Sequence, residues 1–207
     1  MAANLSPLVE RAASEAGVEL DDTARTALQT WLDRLVEWNA RTDLTAARSD
    51  EELVDLMLAD ALVIAPRLDD RARVVDVGTG AGAPGLALAL VRPDLRVTLV
   101  EPLGKRAAFL RTVVGAVGRP DVAIERVRGE SLAGRRAWDE AVSRASLRPQ
   151  PWLDLAVTLA SPQGSVWALL AREEPPVHPR APIVDDIAYT WPLTGVSRRA
   201  VRYRLVV

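Results

Sequence analysis

Apolar positions recur with a helical period through the first third of the chain. The spacing predicts helices over residues 6–16, 21–38 and 49–65. The third helix begins with a capping box, in which the side chains of Ser49 and Glu52 are expected to accept each other's backbone N–H groups. The first 70 residues are therefore expected to form an N-terminal helical segment.

Short apolar runs alternate with helical stretches after residue 68. The runs predict strands at 74–77, 97–100, 122–124, 138–142 and 165–170, with helices at 84–91, 105–117 and 151–159. This alternation predicts βαβ units and a parallel sheet. Apolar or alternating segments at 187–191 and 201–207 predict a closing antiparallel hairpin. The expected fold is α/β, with a second domain over 71–207.

The strand predicted at 74–77 leads into a glycine-rich turn, VDVGTGAGAPG at 75–85. Glycines let the backbone turn sharply and approach a ligand that a Cβ would keep away. Pro84 suits the first turn of the following helix. The next strand ends at Glu101, where a carboxylate can accept both ribose hydroxyls of an adenosine ligand. Together these features predict a nucleoside cofactor site.

Two classes of cofactor fit this turn, a nicotinamide or flavin dinucleotide and S-adenosylmethionine. Asp76 lies on the strand just before the glycines, where its charge suits the cationic aminoacyl end of S-adenosylmethionine and would repel a pyrophosphate. The dinucleotide pattern also requires a third glycine where this chain has Ala83. S-adenosylmethionine is favoured, and a dinucleotide-dependent oxidoreductase stays an alternative.

Composition narrows the chemistry further. The chain has no cysteine and one histidine, His178, which excludes a thiolate zinc site or a cysteine nucleophile and disfavours other metal sites. It has no secretion signal and no apolar run long enough to span a membrane, so a cytoplasmic protein is expected. Residues 1–70 carry a net charge of −9 and residues 71–207 carry +7, which permits one face to attract a polyanion.

Several motifs resemble one known family. They are VVDVGTGAGAPG at 74–85, LVRP at 90–93, LGKR at 103–106, FL at 109–110, RGE at 128–130 and SRA at 143–145. They closely resemble the ribosomal RNA small-subunit methyltransferase G family, also called glucose-inhibited division protein B. The resemblance implies a Rossmann-like class I methyltransferase fold, with a mostly parallel seven-stranded sheet and an antiparallel C-terminal hairpin.

The resemblance also implies an activity, which is methylation of N7 of a guanine in small-subunit ribosomal RNA with S-adenosylmethionine. The implied partner is that RNA or the 30S particle, and the implied protein is a monomer without metal. A guanine N7 carries a lone pair and no proton, so the reaction needs no general base. The target base is expected to be unpaired and stacked on a planar side chain, for which Trp38 is a candidate beside its alternative role in the core.

Site residues are transferred from the family position by position. The implied cofactor-binding residues are Asp76, Gly78, Thr79, Gly80, Gly82, Pro84, Glu101, Gly129, Glu130 and Arg144. Glu130 has a second interpretation, as the cap of a short helix. The candidate catalytic residues are Arg144 at the boundary of cofactor and substrate, Lys105 and Arg106 facing the site mouth or RNA phosphate, and Asp60 near the product base.

The chain departs from the family pattern on its substrate-facing side. Asp43, Met57 and Leu170 stand where the family usually has Asn, His and Lys. These changes leave open a diverged relative that keeps the cofactor pocket but methylates another substrate or only binds the cofactor.

Overall fold

A computed structural model describes residues 4–144 and 146–206 of the chain. Ala145 of the SRA motif and Val207 of the expected last strand lie outside the described residues. The α-helices are α1 (Ser6–Glu15), α2 (Asp22–Thr42), α3 (Asp50–Val54), α4 (Asp60–Ile64), α5 (Gly85–Val91), α6 (Gly104–Ala116) and α7 (Pro149–Leu159). The strands are β1 (Arg73–Val77), β2 (Arg96–Val100), β3 (Ala123–Glu125), β4 (Trp138–Arg144), β5 (Ala160–Leu170), β6 (Ile183–Thr190) and β7 (Ser197–Arg204).

The strands form one seven-stranded sheet in the order β3-β2-β1-β4-β5-β7-β6. Strands β1 to β5 pair in parallel, whereas β7 pairs antiparallel with both β5 and β6. The strand order reverses between β1 and β4, and in open α/β sheets ligands bind at the carboxyl ends of the strands beside such a reversal. The predicted α/β sheet with an antiparallel hairpin is confirmed.

The two faces of the sheet bury separate apolar clusters. On one face, Val74, Leu99 and Val142 pack in a core that includes the N-terminal helices, α5 and α6. On the other face, Val75 and Val166 pack in a core that includes α7. Burial of both faces explains why the central strands are nearly continuous apolar runs. The N-terminal helices thus share a core with the sheet, and the domain division at residue 70 stays a prediction.

The structure contains most of the capping interactions that the sequence predicts at the start of the N-terminal helices. Asp21 caps α2, because its side chain accepts a hydrogen bond from the Ala24 amide at 2.7 Å. Ser49 accepts from the Glu52 amide at 3.1 Å, but the Glu52 carboxylate accepts from the amide of Arg48, so only half of the expected capping box forms.

The predicted helix at 49–65 is interrupted by a wider turn. It is α-helical in α3, π-helical over Asp55–Ala59, α-helical again in α4 and 3-10 helical over Ala65–Arg67. A π-turn inserts a residue into the helix and rotates the side chains that follow it. Here Asp55, the first residue of that turn, and Asp60, the residue after it, both bond to the C-terminal hairpin.

The hairpin strands begin earlier than the apolar pattern predicted. Strand β6 begins at Ile183 instead of residue 187, and β7 begins at Ser197 instead of residue 201. The missed segments are rich in charge, and Asp186 forms an ion pair with Arg199 across the two strands at 2.6 Å. Charged residues are tolerated on the edge strand β6, where apolar periodicity is weak, and the cross-strand ion pair accommodates Arg199 in the neighbouring β7.

Candidate functional site

The glycine turn follows β1 and is fixed to the end of β2. The amides of Gly78 and Thr79 donate to the Val100 carbonyl at 2.8 and 3.2 Å. Gly78 and Gly80 have φ of +73° and +61°, a region that favours glycine. A Cβ on Gly78 would lie 2.2 Å from the Cβ of Ser146, whereas a Cβ on Gly80 would meet no atom within 4 Å. Packing therefore explains Gly78, while Gly80 borders open space.

The later glycines of the turn are required by packing. A Cβ on Gly82, which has φ of +117°, would lie 3.0 Å from the ring of Trp31 in α2. The Trp31 indole N–H also donates to the Ala81 carbonyl at 3.0 Å, so the N-terminal helices support the turn directly. A Cβ on Gly85 would lie 2.6 Å from that of Asp76. Pro84 is buried just before α5, and cofactor contacts of Gly82 and Pro84 stay predictions.

Asp76 is fully buried at the end of β1, and its two oxygens differ. Oδ2 accepts a hydrogen bond from the Gly85 amide at 2.8 Å, whereas Oδ1 has no partner. Burial raises the pKa of Asp76 to about 6, against the opposing effects of the nearby Thr79 hydroxyl, the Gly85 amide and Arg144. The Thr79 hydroxyl in the same turn is also buried without a partner. Buried polar atoms are usually satisfied, so this pair fits a site whose ligand supplies the missing hydrogen bonds.

Glu101 lies at the end of β2, opposite the glycine turn. Its Oε2 accepts from the Gly80 amide at 3.0 Å and its Oε1 accepts from the Leu103 amide at 2.8 Å. Each carboxylate oxygen keeps a further lone pair for a ligand hydroxyl. The sequence predicted that Asp76, Gly80 and Glu101 lie together, and the structure places them around one turn.

Arg144 ends β4 on the other side of the strand-order reversal. Its guanidinium donates to the Leu56 carbonyl and to Asp60 Oδ2, the latter at 3.2 Å. Asp60 is 2% exposed, and its Oδ1 accepts from the Tyr189 hydroxyl at 2.6 Å and the Trp191 indole at 3.0 Å. Burial next to this carboxylate raises the pKa of Tyr189. Asp60 therefore orients Arg144 and the hairpin, a role the sequence did not predict.

The remaining predicted residues belong to the first turn of α6 and to a 3-10 helix before β4. Lys105 is exposed and Arg106 half-buried on the first turn of α6, and among residues 4–144 and 146–206 neither has a carboxylate within 4.0 Å. Gly129 is buried, and packing requires glycine there because a Cβ would lie 2.4 Å from the Val77 side chain. Glu130 is exposed inside the 3-10 helix Gly129–Leu132, whose N-cap is Arg128, so Glu130 is not its cap.

A cavity of ≈ 170 Å³ opens beside Arg144, at the carboxyl ends of β4 and β5. Residues that the sequence did not single out line it, among them Glu173, Trp191 and Arg198. They come from the loop after β5 and from the hairpin, and no motif connects those segments to the glycine turn. Trp38, the expected stacking plane, instead packs edge-on against Phe109 with ring centroids 5.5 Å apart.

Two absences concern the part of the chain that the structure describes. Within residues 4–144 and 146–206, no group of three or more His, Cys, Asp or Glu side chains is placed to hold a metal ion. Over the same residues, no helix has both the length and the apolar character needed to cross a bilayer.

Comparison with known proteins identifies the family. The model described as GidB, rRNA small subunit methyltransferase G, matches residues 24–185. The chain belongs to this family. A relative from Anaeromyxobacter dehalogenans named ribosomal RNA small subunit methyltransferase G is 37% identical, covering 76% of this chain and 74% of its own length. One of the same name from Yersinia enterocolitica is 36% identical, covering 93% and 88%.

Solved structures with similar folds are more distant in sequence. One is the 1,6-didemethyltoxoflavin-N1-methyltransferase of Burkholderia thailandensis with bound S-adenosylhomocysteine, at TM-score 0.59 and 16% identity, covering 92% of this chain and 93% of that one. Another is a SAM-dependent methyltransferase of Aquifex aeolicus, at TM-score 0.53 and 16% identity, covering 74% and 92%. The similarity confirms the predicted methyltransferase fold.

The family departures have local structural explanations. Asp43 ends α2 with φ of +48°, a left-handed conformation that Asp and Asn both tolerate. Met57 is 4% exposed and belongs to the core beneath the π-turn. Leu170 is equally buried at the end of β5, where it lines the cavity next to Arg144. The first two substitutions therefore suit their surroundings, and the third changes the cavity wall.

Proposed function

We propose that this protein transfers a methyl group from S-adenosylmethionine to N7 of a guanine in small-subunit ribosomal RNA. Membership of the family confirms the class of enzyme, the cofactor and ribosomal RNA as substrate, so the dinucleotide alternative is set aside. The acceptor atom, the residue roles and the form of the RNA substrate are the proposal.

The observation that carries the cofactor assignment is the unpartnered Oδ1 of buried Asp76. A buried carboxylate with one oxygen free of hydrogen bonds fits the ammonium of the methionine end. Gly80 leaves open space for the approach of that end, and Glu101 keeps lone pairs for the ribose hydroxyls. Gly129 and Glu130, beside the end of β1, are assigned to the adenine end of the pocket.

The chemistry asks little of the protein beyond alignment. Bound S-adenosylmethionine supplies an electrophilic methyl on a sulfonium, and guanine N7 attacks with a lone pair that carries no proton. The residues must orient the base and exclude water. Arg144, held by Asp60, stands between the turn and the cavity beside it, where it limits the space open to the acceptor base.

The N-terminal segment and the first turn of α6 are assigned to different tasks. Lys105 and Arg106 have no carboxylate within 4.0 Å among the described residues and are free to contact RNA phosphate. Apart from Leu56 and Asp60, which line the cavity, the acidic segment 1–70 supports the turn through Trp31 and is not expected to face RNA. We further propose that the enzyme is a monomer in the cytoplasm and acts on the 30S particle or its free RNA.

A methyl-transfer assay tests this proposal. Purified protein and methyl-labelled S-adenosylmethionine are incubated with 30S particles, and separately with free small-subunit RNA, from cells that lack the family's enzyme. Borohydride reduction followed by aniline then cleaves RNA at 7-methylguanosine. We expect label in RNA and one new cleavage site. Asp76→Asn should lose the label, while Asp139→Asn, at the opposite end of β4, should keep it.

Each other outcome has a defined meaning. Label without cleavage by aniline would overturn the N7 assignment and leave RNA methylation in place. Binding of S-adenosylhomocysteine without label in either RNA preparation would favour the diverged relative that acts on another substrate. Light scattering during gel filtration would show whether the active species is the monomer.

A further inference from the structure

The cavity beside Arg144 is built from segments that are distant in sequence. Arg144 ends β4, Leu170 ends β5, Glu173 follows in the next loop, and Trp191 and Arg198 lie on either side of the hairpin turn. Asp60 connects these segments, because it bonds to both Arg144 and Trp191. The cavity is therefore held in one shape by a buried carboxylate and is not a chance gap between loops.

One wall of the cavity is a stacked pair of planar groups. The guanidinium carbon of Arg198 lies 4.0 Å from the centre of the Trp191 ring, and the Trp191 indole N–H is fixed by Asp60 at 3.0 Å. Unpaired bases bind to proteins by stacking on aromatic rings or on guanidinium planes. This wall provides the planar surface that Trp38, packed against Phe109, does not.

Glu173 places a carboxylate at the same cavity. Its Oε2 accepts hydrogen bonds from the Ala171 and Arg172 amides, both at 3.0 Å, and its Oε1 has no hydrogen bond to another residue among those described. Backbone amides, its own included, lower the pKa of Glu173, so the group is ionised at neutral pH. The side chain is thus an exposed anionic acceptor that two backbone amides hold through Oε2, and its Oε1 is unused by the rest of the described chain.

We propose that Glu173 selects guanine as the acceptor base, with Oε1 accepting hydrogen bonds from both the guanine N1–H and its N2 amino group. Guanine is the base whose Watson–Crick edge presents two adjacent donors of this kind, whereas adenine has an unprotonated N1 and no N2 amino group. N7 lies on a different edge of the purine. A base held by Glu173 therefore keeps N7 free for the methyl group. This inference rests on the proposed function and names the residue that makes it specific.

Nucleotide binding to the complex with S-adenosylhomocysteine tests the inference directly. The probes are GMP, IMP, which lacks the N2 amino group, and AMP, titrated by NMR. We expect the wild-type complex to bind GMP more tightly than AMP by about tenfold or more, with IMP between them. Glu173→Gln should bring the three affinities close together without changing the affinity for S-adenosylhomocysteine.

Glu174→Gln is a matched control. Glu174 is the next residue, its side chain is 93% exposed, its nearest cation is Arg199 at 3.7 Å, and it does not line the cavity. This variant should keep the wild-type order of nucleotide affinities. Equal affinities for GMP, IMP and AMP in the wild-type complex, or an unchanged GMP preference in Glu173→Gln, would overturn the inference.

Methyl transfer to small-subunit RNA separates this inference from the proposed function. If wild-type protein methylates the RNA, Glu173→Gln should lower kcat/KM by about tenfold or more, and Glu174→Gln should not. An active wild-type enzyme with an equally active Glu173→Gln variant would refute the role of Glu173 alone. A wild-type complex that prefers GMP but methylates no RNA would instead refute the proposed function.

Discussion

Replacing Asp76 by Asn changes the charge at the end of β1 while keeping the size of the side chain. The bond that Oδ2 accepts from the Gly85 amide at 2.8 Å can be kept by the amide oxygen of Asn. The other position, which has no partner in the structure, changes from an anionic acceptor to a donor. We expect the variant to fold and to bind S-adenosylhomocysteine weakly, because the ligand's ammonium then meets an N–H group.

The size of the expected loss of affinity for S-adenosylhomocysteine follows from the burial of Asp76. Removing one partner of a desolvated charge pair costs about 2–5 kcal/mol, which is an increase in Kd of about 30-fold or more. In the wild-type protein, burial raises the pKa of Asp76 from 3.8 to about 6. Binding requires the ionised form, so the affinity should be highest near pH 7.5 and about tenfold lower near pH 5.

Calorimetric titration with S-adenosylhomocysteine over about pH 5 to 8 measures both effects. Asp76→Asn should bind weakly at every pH, and Asp139→Asn should follow the wild-type profile, since it pairs with Arg73 away from the site. A wild-type affinity that does not change between these pH values would contradict the pKa argument. Wild-type affinity in Asp76→Asn would mean that the pocket is elsewhere.

The same pKa also predicts how the unliganded protein responds to pH. The folded state holds the proton on Asp76 up to about pH 6, whereas the unfolded chain releases it near 3.8. The free energy of unfolding from this group therefore falls as pH rises through that window, by up to about 3 kcal/mol. Thermal unfolding of Asp76→Asn should lack this contribution, and identical pH profiles of the two proteins would refute it.

Five further substitutions test three other parts of the structure. Asp60→Ala breaks a buried network and should lower the free energy of unfolding by about 3–5 kcal/mol in denaturant titration, while Asp186→Ala, in an exposed pair, should cost less than about 1 kcal/mol. Gly78→Ala should destabilise the fold by clashing with Ser146. Gly80→Ala has open space around it and a φ of +61°, so it should lose only about 1 kcal/mol of stability, stay folded and lose affinity for S-adenosylhomocysteine. Arg106→Glu should raise the KM for RNA and leave kcat unchanged. The slope of log KM against log salt concentration should fall by about one, which corresponds to the loss of one phosphate contact, and kinetics at several salt concentrations measure it.

The sequence by itself determined the grouping of the glycine turn with Asp76 and Glu101, which is the proposed cofactor half of the site. The glycine turn, Asp76 and Glu101 are each within a few residues of a strand end, and the carboxyl ends of neighbouring parallel strands meet at one edge of the sheet. Local chemistry and strand order therefore suffice to bring them together. The helices and central strands were predicted for the same reason, because periodicity is a local property of the chain.

Tertiary structure alone determined the other half of the site, which is the cavity beside Arg144. Arg144, Asp60 and Trp191 meet through contacts that span 84 and 131 positions of the chain, and no spacing in the sequence specifies which of several buried carboxylates will pair with which arginine. The π-turn over Asp55–Ala59 has no sequence pattern of its own. The first residues of β6 and β7 are rich in charge, so the apolar pattern did not predict where these strands begin. Local interactions fix elements and short turns, whereas the cavity wall depends on how the hairpin packs against the N-terminal helices, which is settled only when the whole core is buried.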